Sequence, residues 1–281
     1  MRMKGKTIFN ASFDVFAETY HSVRPGYPAQ VYTDIKEVCG LDSTSRLLEI
    51  GAGSGIATME IAKFGSKIVA IEPGSHLAAI AREQTKEYKN VEVREEAFEE
   101  FQSAEHFDAI LAFTSFHWLK GEDKYQRVLK LLKDAGNLVL VWNYFFQTNS
   151  PATATVNRVY HELLSDVYPG QMGVHKVNEE VFSVLTRREQ RVIQNSLFYP
   201  VFMRKYLVKY NYSAETYSKF LNTFPKIIAL NEERRMKFLE RIFEAVAKYG
   251  KISVPVLTSL IICKKKNYFL QAVADSEKEE C

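Results

Sequence analysis

Between residues 46 and 143 short unbroken apolar runs alternate with longer stretches of helical spacing. Apolar runs bounded by turn signals read as strands buried on both faces. By that rule strands are expected at 46–50, 67–71, 107–112 and 138–143, with a further strand at Val91-Glu92-Val93-Arg94. Helices are expected between them at 56–64, 75–87 and 122–133. A helix over 28–38 precedes the first strand and ends at Gly40, a residue suited to a left-handed cap. Strand and helix in repeated alternation imply a mostly parallel sheet with helices on both faces.

The pattern changes on either side of this block. Phe9, Phe13, Phe16 and Tyr20 form an amphipathic helical stripe that runs into a turn at Pro25-Gly26-Tyr27-Pro28. After 143, Asn149-Ser150-Pro151 has turn chemistry and a helix of about 15 residues follows it. Tyr168-Pro169-Gly170 breaks that helix, and Asn178 caps another over 179–187. The block 144–196 is too long for a plain connection, where roughly 4–6 residues are usual. It reads as a helical insertion serving as a lid. Strands at 197–208 and 254–263 bring the sheet to seven, the last antiparallel. Between them Ser213 caps a helix over 214–222, and a long helix over 231–249 ends at Gly250. The expected organisation is a core over 1–143, the lid over 144–196, completing strands and cap helices over 197–267, and a loose tail over 268–281.

The chemistry concentrates where the first strand ends. Arg46-Leu47-Leu48-Glu49-Ile50 passes into Gly51-Ala52-Gly53-Ser54-Gly55-Ile56. Alternate glycines permit positive φ and close approach of a ligand to the backbone. A dinucleotide site would want G-x-G-x-x-G, but Ile56 stands at the third glycine's place. Glu49, two positions before the loop, is a poor neighbour for a pyrophosphate and a good one for an ammonium or sulfonium group.

This stretch resembles the E/D-x-G-x-G-x-G motif of the class I S-adenosylmethionine-dependent methyltransferases. The resemblance is tight over 46–143 and loose elsewhere, and the N-terminal Y-x-x-x-R-P-x-Y-P run is similar to that of trans-aconitate and ubiquinone-type enzymes. It implies a Rossmann-like sheet, S-adenosylmethionine as cofactor, and in-line methyl transfer to a small molecule. Glu49, Gly51, Ala52, Gly53 and Gly55 would form the cofactor loop. Glu72, beside Pro73, lies 21 residues beyond Gly51, near the interval at which a carboxylate reaches a ribose; the alternative is a helix cap before Ser75. Glu96 and Ala97 fit the adenine-reading pair, with Phe98 after them, although the surrounding acidic run also suits a solvated helix start. Arg24, with Tyr20, would meet the cofactor's carboxylate, or is a surface arginine.

After the fourth strand comes Phe113-Thr114-Ser115-Phe116-His117-Trp118, at the end of the sheet where ligands of such folds sit. Thr114 and Trp118 are expected to line the cofactor pocket. His117 either holds or deprotonates the acceptor, or fixes the loop. No N-P-P-Y-like tetrapeptide is present, which argues against amide or exocyclic-amine methylation. Trp142, Tyr144, Phe145 and Phe146 suit either a partly apolar acceptor or the core.

Composition narrows the reading little. With 37 basic against 34 acidic residues, the net charge of +3 gives no reason to expect nucleic acid as a partner. Cys39, Cys263 and Cys281 have no metal-ligand spacing, so no metal is expected, and a reduced, cytoplasmic setting is the simplest reading. No run nears the ~18 apolar residues of a membrane span. A monomer or homodimer acting on a small molecule is expected. A nicotinamide-dependent oxidoreductase and a non-catalytic cofactor-binding protein are the competing readings.

Overall fold

In the computed structural model, which describes residues 16–121, 123–168 and 185–266, seven strands form one sheet. They are β1 (Arg46–Ile50), β2 (Lys67–Ile71), β3 (Val91–Arg94), β4 (Phe107–Phe113), β5 (Leu132–Phe145), β6 (Phe198–Ser213) and β7 (Lys251–Lys265). Their order is β3-β2-β1-β4-β5-β7-β6, and β1 pairs in parallel with both β2 and β4. The sheet is mostly parallel, with β7 antiparallel, as expected. The order reverses at β1 and β4, so the turns leaving these two neighbours emerge together at one end of the sheet.

The chain divides into two compact units. One comprises 27–143, 184–206 and 258–281. Its helices are α1 (Ala29–Cys39), α2 (Ile56–Ala62), α3 (Ser75–Thr85), α4 (Lys124–Leu131) and α5 (Arg187–Ile193). Val31, Ile35, Leu47, Ile61, Ile68, Leu111 and Val139 belong to its core, each at most 2% exposed. Burial of such side chains stabilises by roughly 1.5–3 kcal/mol each before the entropy of ordering is set against it.

The other unit comprises, of the described residues, 16–26, 144–168 and 207–257. It holds the helices α6 (Ala17–Val23), α7 (Pro151–Leu164), α8 (Ala214–Leu221), α9 (Pro225–Ile228) and α10 (Glu232–Ala247). Val156, Leu164, Ile227, Phe238 and Ile242 are fully buried in its own core. Ser150, Ser213 and Asn231 cap α7, α8 and α10 by accepting backbone N–H bonds. The divisions at 143/144, 206/207 and 257/258 fall inside strands β5, β6 and β7.

Strand limits differ from expectation mainly in β5. The expected turn over Lys133–Asn137 is strand: Phe107 pairs with Leu132, and an irregularity brings Ala109 opposite Asn137. Gly136 serves close packing there, since an added Cβ would lie 2.9 Å from the Lys133 carbonyl and 3.0 Å from that of Phe107. Helix α5 was not anticipated, although Thr186 and Glu189 form a full capping box at its start. Phe9, Phe13, most of the 179–187 helix with Asn178, and the tail lie outside the described residues. Among the described residues no helix is long and apolar enough to cross a membrane.

Candidate active site

The turn after β1 is made by glycines that serve different ends. Gly51, Gly53 and Gly55 have φ of +69°, +58° and +84°. A Cβ on Gly51 would lie 2.6 Å from Ser115 Cβ, and one on Gly55 3.1 Å from Ala81 Cα on α3. A side chain at Gly51 would collide with Ser115, and one at Gly55 would be tight against α3. At Gly53 nothing lies within 4 Å of the added Cβ. Its open face is space from which a ligand can approach the backbone. The Gly51 and Ala52 N–H groups both donate to the Ile71 carbonyl, at 2.8 and 3.0 Å, fastening the loop to the end of β2.

Two carboxylates flank this loop. Glu72 follows β2 and is 8% exposed. One of its oxygens accepts from Gly53 N–H at 2.9 Å and the other from Gly74 N–H at 2.8 Å. It thus joins the residue before α3 to the glycine loop. Glu49 is 1% exposed. Thr58 of α2 donates to its Oε2 at 2.7 Å, while Oε1 is buried without a partner. Burial pushes the Glu49 carboxyl up to about 8; the Glu72 charge adds to this and Thr58 opposes it. Buried polar atoms are nearly always satisfied, so the orphaned oxygen asks for a ligand.

The next strand supplies a third edge. Glu96 N–H donates to the Glu72 carbonyl at 3.2 Å, continuing the β2–β3 pairing past Ile71 and Arg94. Glu96 and Ala97 therefore lie beside Glu72. Phe98 is 2% exposed, and its carbonyl accepts from Arg127 at 3.0 Å. Its side chain is core, and Arg127 holds this segment in place.

The turn after β4 is shaped by hydrogen bonds. Thr114 has φ of +55°, the only positive value at a non-glycine residue among those described. Such a backbone costs about 1–2 kcal/mol and persists where its surroundings fix it. Thr114 Oγ1 accepts from Tyr27 OH at 3.0 Å and from Asn143 N–H at 3.2 Å, and Thr114 N–H donates to the Val141 carbonyl at 2.7 Å. Ser115 Oγ donates to the Ile50 carbonyl, joining this turn to the glycine loop. A 3-10 turn over Phe116–Trp118 follows. Phe116 is buried and Trp118 is 40% exposed. The His117 ring is half-buried, 4.6 Å from that of Trp118, and its Nδ1 is buried without a partner. Burial pushes the imidazole down to about 3, with the Arg188 and Lys124 charges acting in the same direction. His117 is a neutral ring at physiological pH.

Residues 48–140 match a protein-family model described as a methyltransferase domain. Over these residues the chain is similar to the class I S-adenosylmethionine-dependent methyltransferases. This sets aside the nicotinamide reading. An uncharacterised methyltransferase of Schizosaccharomyces pombe is 26% identical over 81% of this chain and 84% of its own length. A protein of Dictyostelium discoideum named as a methyltransferase is 28% identical over 58% of this chain. That match spans 61% of the Dictyostelium protein, less than two thirds of its length. A structure described as a type II methyltransferase, from Anaeromyxobacter dehalogenans, shares the fold with a TM-score of 0.57 at 15% identity. It covers 85% of this chain and 97% of that one.

The methyltransferase family's cofactor is an adenosine bearing a sulfonium and an ammonium. The residues present fit that group. Glu49 offers a buried, unsatisfied oxygen, Gly53 an open backbone face, and Glu72 a carboxylate bonded to the Gly53 N–H.

The expected site residues are distributed over the two units. Glu49, Gly51, Ala52, Gly53, Gly55, Glu72, Pro73, Glu96, Ala97, Thr114, His117 and Trp118 all lie in the unit that holds the glycine loop. Tyr20 and Arg24 belong to the other unit. There Arg24 donates to Thr223 Oγ1 at 2.9 Å and to the Thr223 carbonyl at 3.0 Å. Its guanidinium lies 4.4 Å from the Phe224 ring centroid and 5.1 Å from that of Tyr20. Arg24 is thus bound into its own unit's aromatic core. Of the aromatics closing strand 5, Trp142 is buried.

Sequence reasoning missed Tyr27, Thr58, Ser115 and Asn143. Thr58 had a signal: it is a polar residue on the otherwise apolar buried face of α2. Tyr27 looked like part of a Pro/Gly turn, and Asn143 like a strand's last residue. Their roles depend on a backbone conformation at Thr114 that no local pattern announces.

Proposed function

We propose that this chain transfers the methyl group of S-adenosylmethionine to a small-molecule acceptor by in-line displacement. The observation that carries the reading is the pair of buried carboxylates, Glu49 and Glu72, beside the open backbone of Gly53. Such a pair suits an adenosine carrying positive charge and no phosphate.

In this reading Gly51, Ala52, Gly53 and Gly55 let the ligand lie against the main chain. Glu72, with Pro73 behind it, accepts the ribose hydroxyls, its carboxylate being held at the loop by the Gly53 and Gly74 N–H groups. Glu96 and the Ala97 N–H meet the adenine edge, on a segment backed by buried Phe98. Glu49 faces the cationic part. The cofactor, when bound, supplies an activated methyl group, so the protein's tasks are alignment and exclusion of water. Thr114 sets the direction of the β4 turn, and Trp118 covers the pocket.

His117 serves as a neutral hydrogen-bonding group for the acceptor. Its depressed basicity makes it a weak proton acceptor at neutral pH, which favours acceptors that need no deprotonation. The sequence Thr114-Ser115-Phe116-His117 supports a small molecule over an amide or base amine.

The test is labelled S-adenosylmethionine incubated with the protein and with the metabolite, protein and RNA fractions of a cell extract. Label is expected in the metabolite fraction. Label in protein or RNA alone overturns the acceptor class, and no saturable binding of S-adenosylmethionine in calorimetry overturns the cofactor assignment.

A further inference from the structure

Glu49 is an unusual group to find beneath a ligand loop. It is 1% exposed on the central strand, and its cross-strand neighbours Ala70 and Leu111 are apolar. Helix α2 gives it one hydroxyl, from Thr58, which serves Oε2 only. Oε1 has no partner. The charged group acting on it among the described residues is Glu72, of its own sign. An ionised carboxylate so enclosed, with one oxygen unpartnered and the charge of a second carboxylate acting on it, is strongly disfavoured. A protonated one needs no counter-charge.

We infer that Glu49 holds a proton in the free protein and surrenders it when a cationic ligand arrives, so that it selects charge and not merely adenosine. The inference rests on the cofactor reading above. The exchange balances simply: the carboxylic acid loses H⁺ to the buffer, and the ligand's positive charge replaces the proton's. The carboxyl's upward displacement to about 8 agrees with this order of events.

A neutral nucleoside that shares the adenosine gains nothing from ionising Glu49. A cation gains the full attraction, but has to displace a proton. Its affinity therefore rises with pH while Glu49 is protonated in the free protein, and levels off once it is ionised there. Glu72, already bound by two N–H groups, gives no comparable step in this account.

The test is titration calorimetry of the full chain in two buffers of different ionisation heat at pH 7. S-adenosylmethionine is expected to release close to one proton and to bind about tenfold more tightly per pH unit up to about pH 8, then to plateau. Methylthioadenosine, which keeps the adenosine and lacks both charges, is expected to release none. S-adenosylhomocysteine keeps the ammonium alone: release with it assigns Glu49 to the ammonium, and no release assigns it to the sulfonium. Both results support the inference. Glu49→Gln should abolish the release and weaken S-adenosylmethionine at pH 8 by at least tenfold, whereas Thr58→Val should retain the release. S-adenosylmethionine binding with no proton released and no pH dependence overturns the inference while leaving the cofactor assignment intact. An absence of any binding overturns both.

Discussion

The turn after β1 and the turn after β4 touch each other through Ser115 and Ile50, yet they are built by different means. The first is a backbone structure. Three glycines at positive φ give it its path, and its outer face at Gly53 is bare main chain. The second is a side-chain structure. Thr114 takes a left-handed conformation because Tyr27, Asn143 and Val141 hold it there. Each turn also keeps an ionisable group in its neutral form: Glu49 as an acid pushed up to about 8, His117 as a base pushed down to about 3. A ligand common to a family can be met by backbone and a fixed pair of carboxylates. An acceptor that differs between enzymes is met by side chains on a turn whose shape other side chains determine.

The largest effect expected from this contrast is on stability against pH. Glu49 has a raised value in the folded state, so between about 4.5 and 8 the folded protein keeps a proton that the unfolded chain has lost. Stability from this group is complete below 4.5 and falls as pH rises to about 8. The fall is on the order of 4–5 kcal/mol. Glu49→Gln removes it, so urea midpoints of the ligand-free variant should gain on the native protein steadily across that window. Parallel curves for the two proteins break the assignment of a buried acid to the β1 turn.

The glycines offer the next largest effect and separate fold from ligand within one turn. Gly51→Ala combines a left-handed alanine with a Cβ 2.6 Å from Ser115. It should destabilise by about 2–4 kcal/mol in urea unfolding, adding backbone strain to overpacking. Gly53→Ala meets nothing and should cost about 1–2 kcal/mol for the backbone alone. Its S-adenosylmethionine affinity should nonetheless fall further than its stability. Equal losses of stability at the two positions end the distinction.

These two turns also differ in how far the sequence revealed them. The strands at 46–50 and 67–71 coincide with β1 and β2, because a buried parallel strand is a largely apolar run with turn residues at each end, and that at 91–94, an alternating Val-Glu-Val-Arg, coincides with β3. Gly51, Gly53 and Gly55 declared their turn because positive φ selects glycine strongly. Glu72 was legible for a geometric reason, since its position at the end of β2 follows from strand length alone. The β4 turn hid its construction. A threonine at positive φ has no sequence signature, and the groups that hold it come from residues 27, 141 and 143. Residue type also conceals protonation state: nothing in the letters marks Glu49 as an acid lacking a partner, or His117 as a weak base.

A smaller effect is expected at Tyr27. Tyr27→Phe keeps the ring against Phe113, whose centroid lies 5.0 Å away, and removes the bond to Thr114. The loss in stability should be about 1 kcal/mol, typical of one hydrogen bond. If the β4 turn serves the acceptor, methyl transfer should slow severalfold while S-adenosylmethionine affinity stays within twofold. A change in cofactor affinity equal to that in turnover merges the two turns into one function.

The smallest effect is an absence of change. A histidine acting as general base with an ordinary value produces a rise in kcat between about pH 5 and 8. His117 is held to about 3, so its ring is neutral across that range and does not titrate within it. With the acceptor saturating, kcat should therefore carry no inflection near 6.5 attributable to it. His117→Asn keeps a hydrogen-bonding group near the ring's position, and should lower kcat by less than about tenfold without reshaping the profile. A native profile that rises through pH 6.5 and is flattened by this substitution makes His117 the base. The β4 turn would then do proton chemistry and not only hold the acceptor, and its contrast with the β1 turn would be one of reaction against binding.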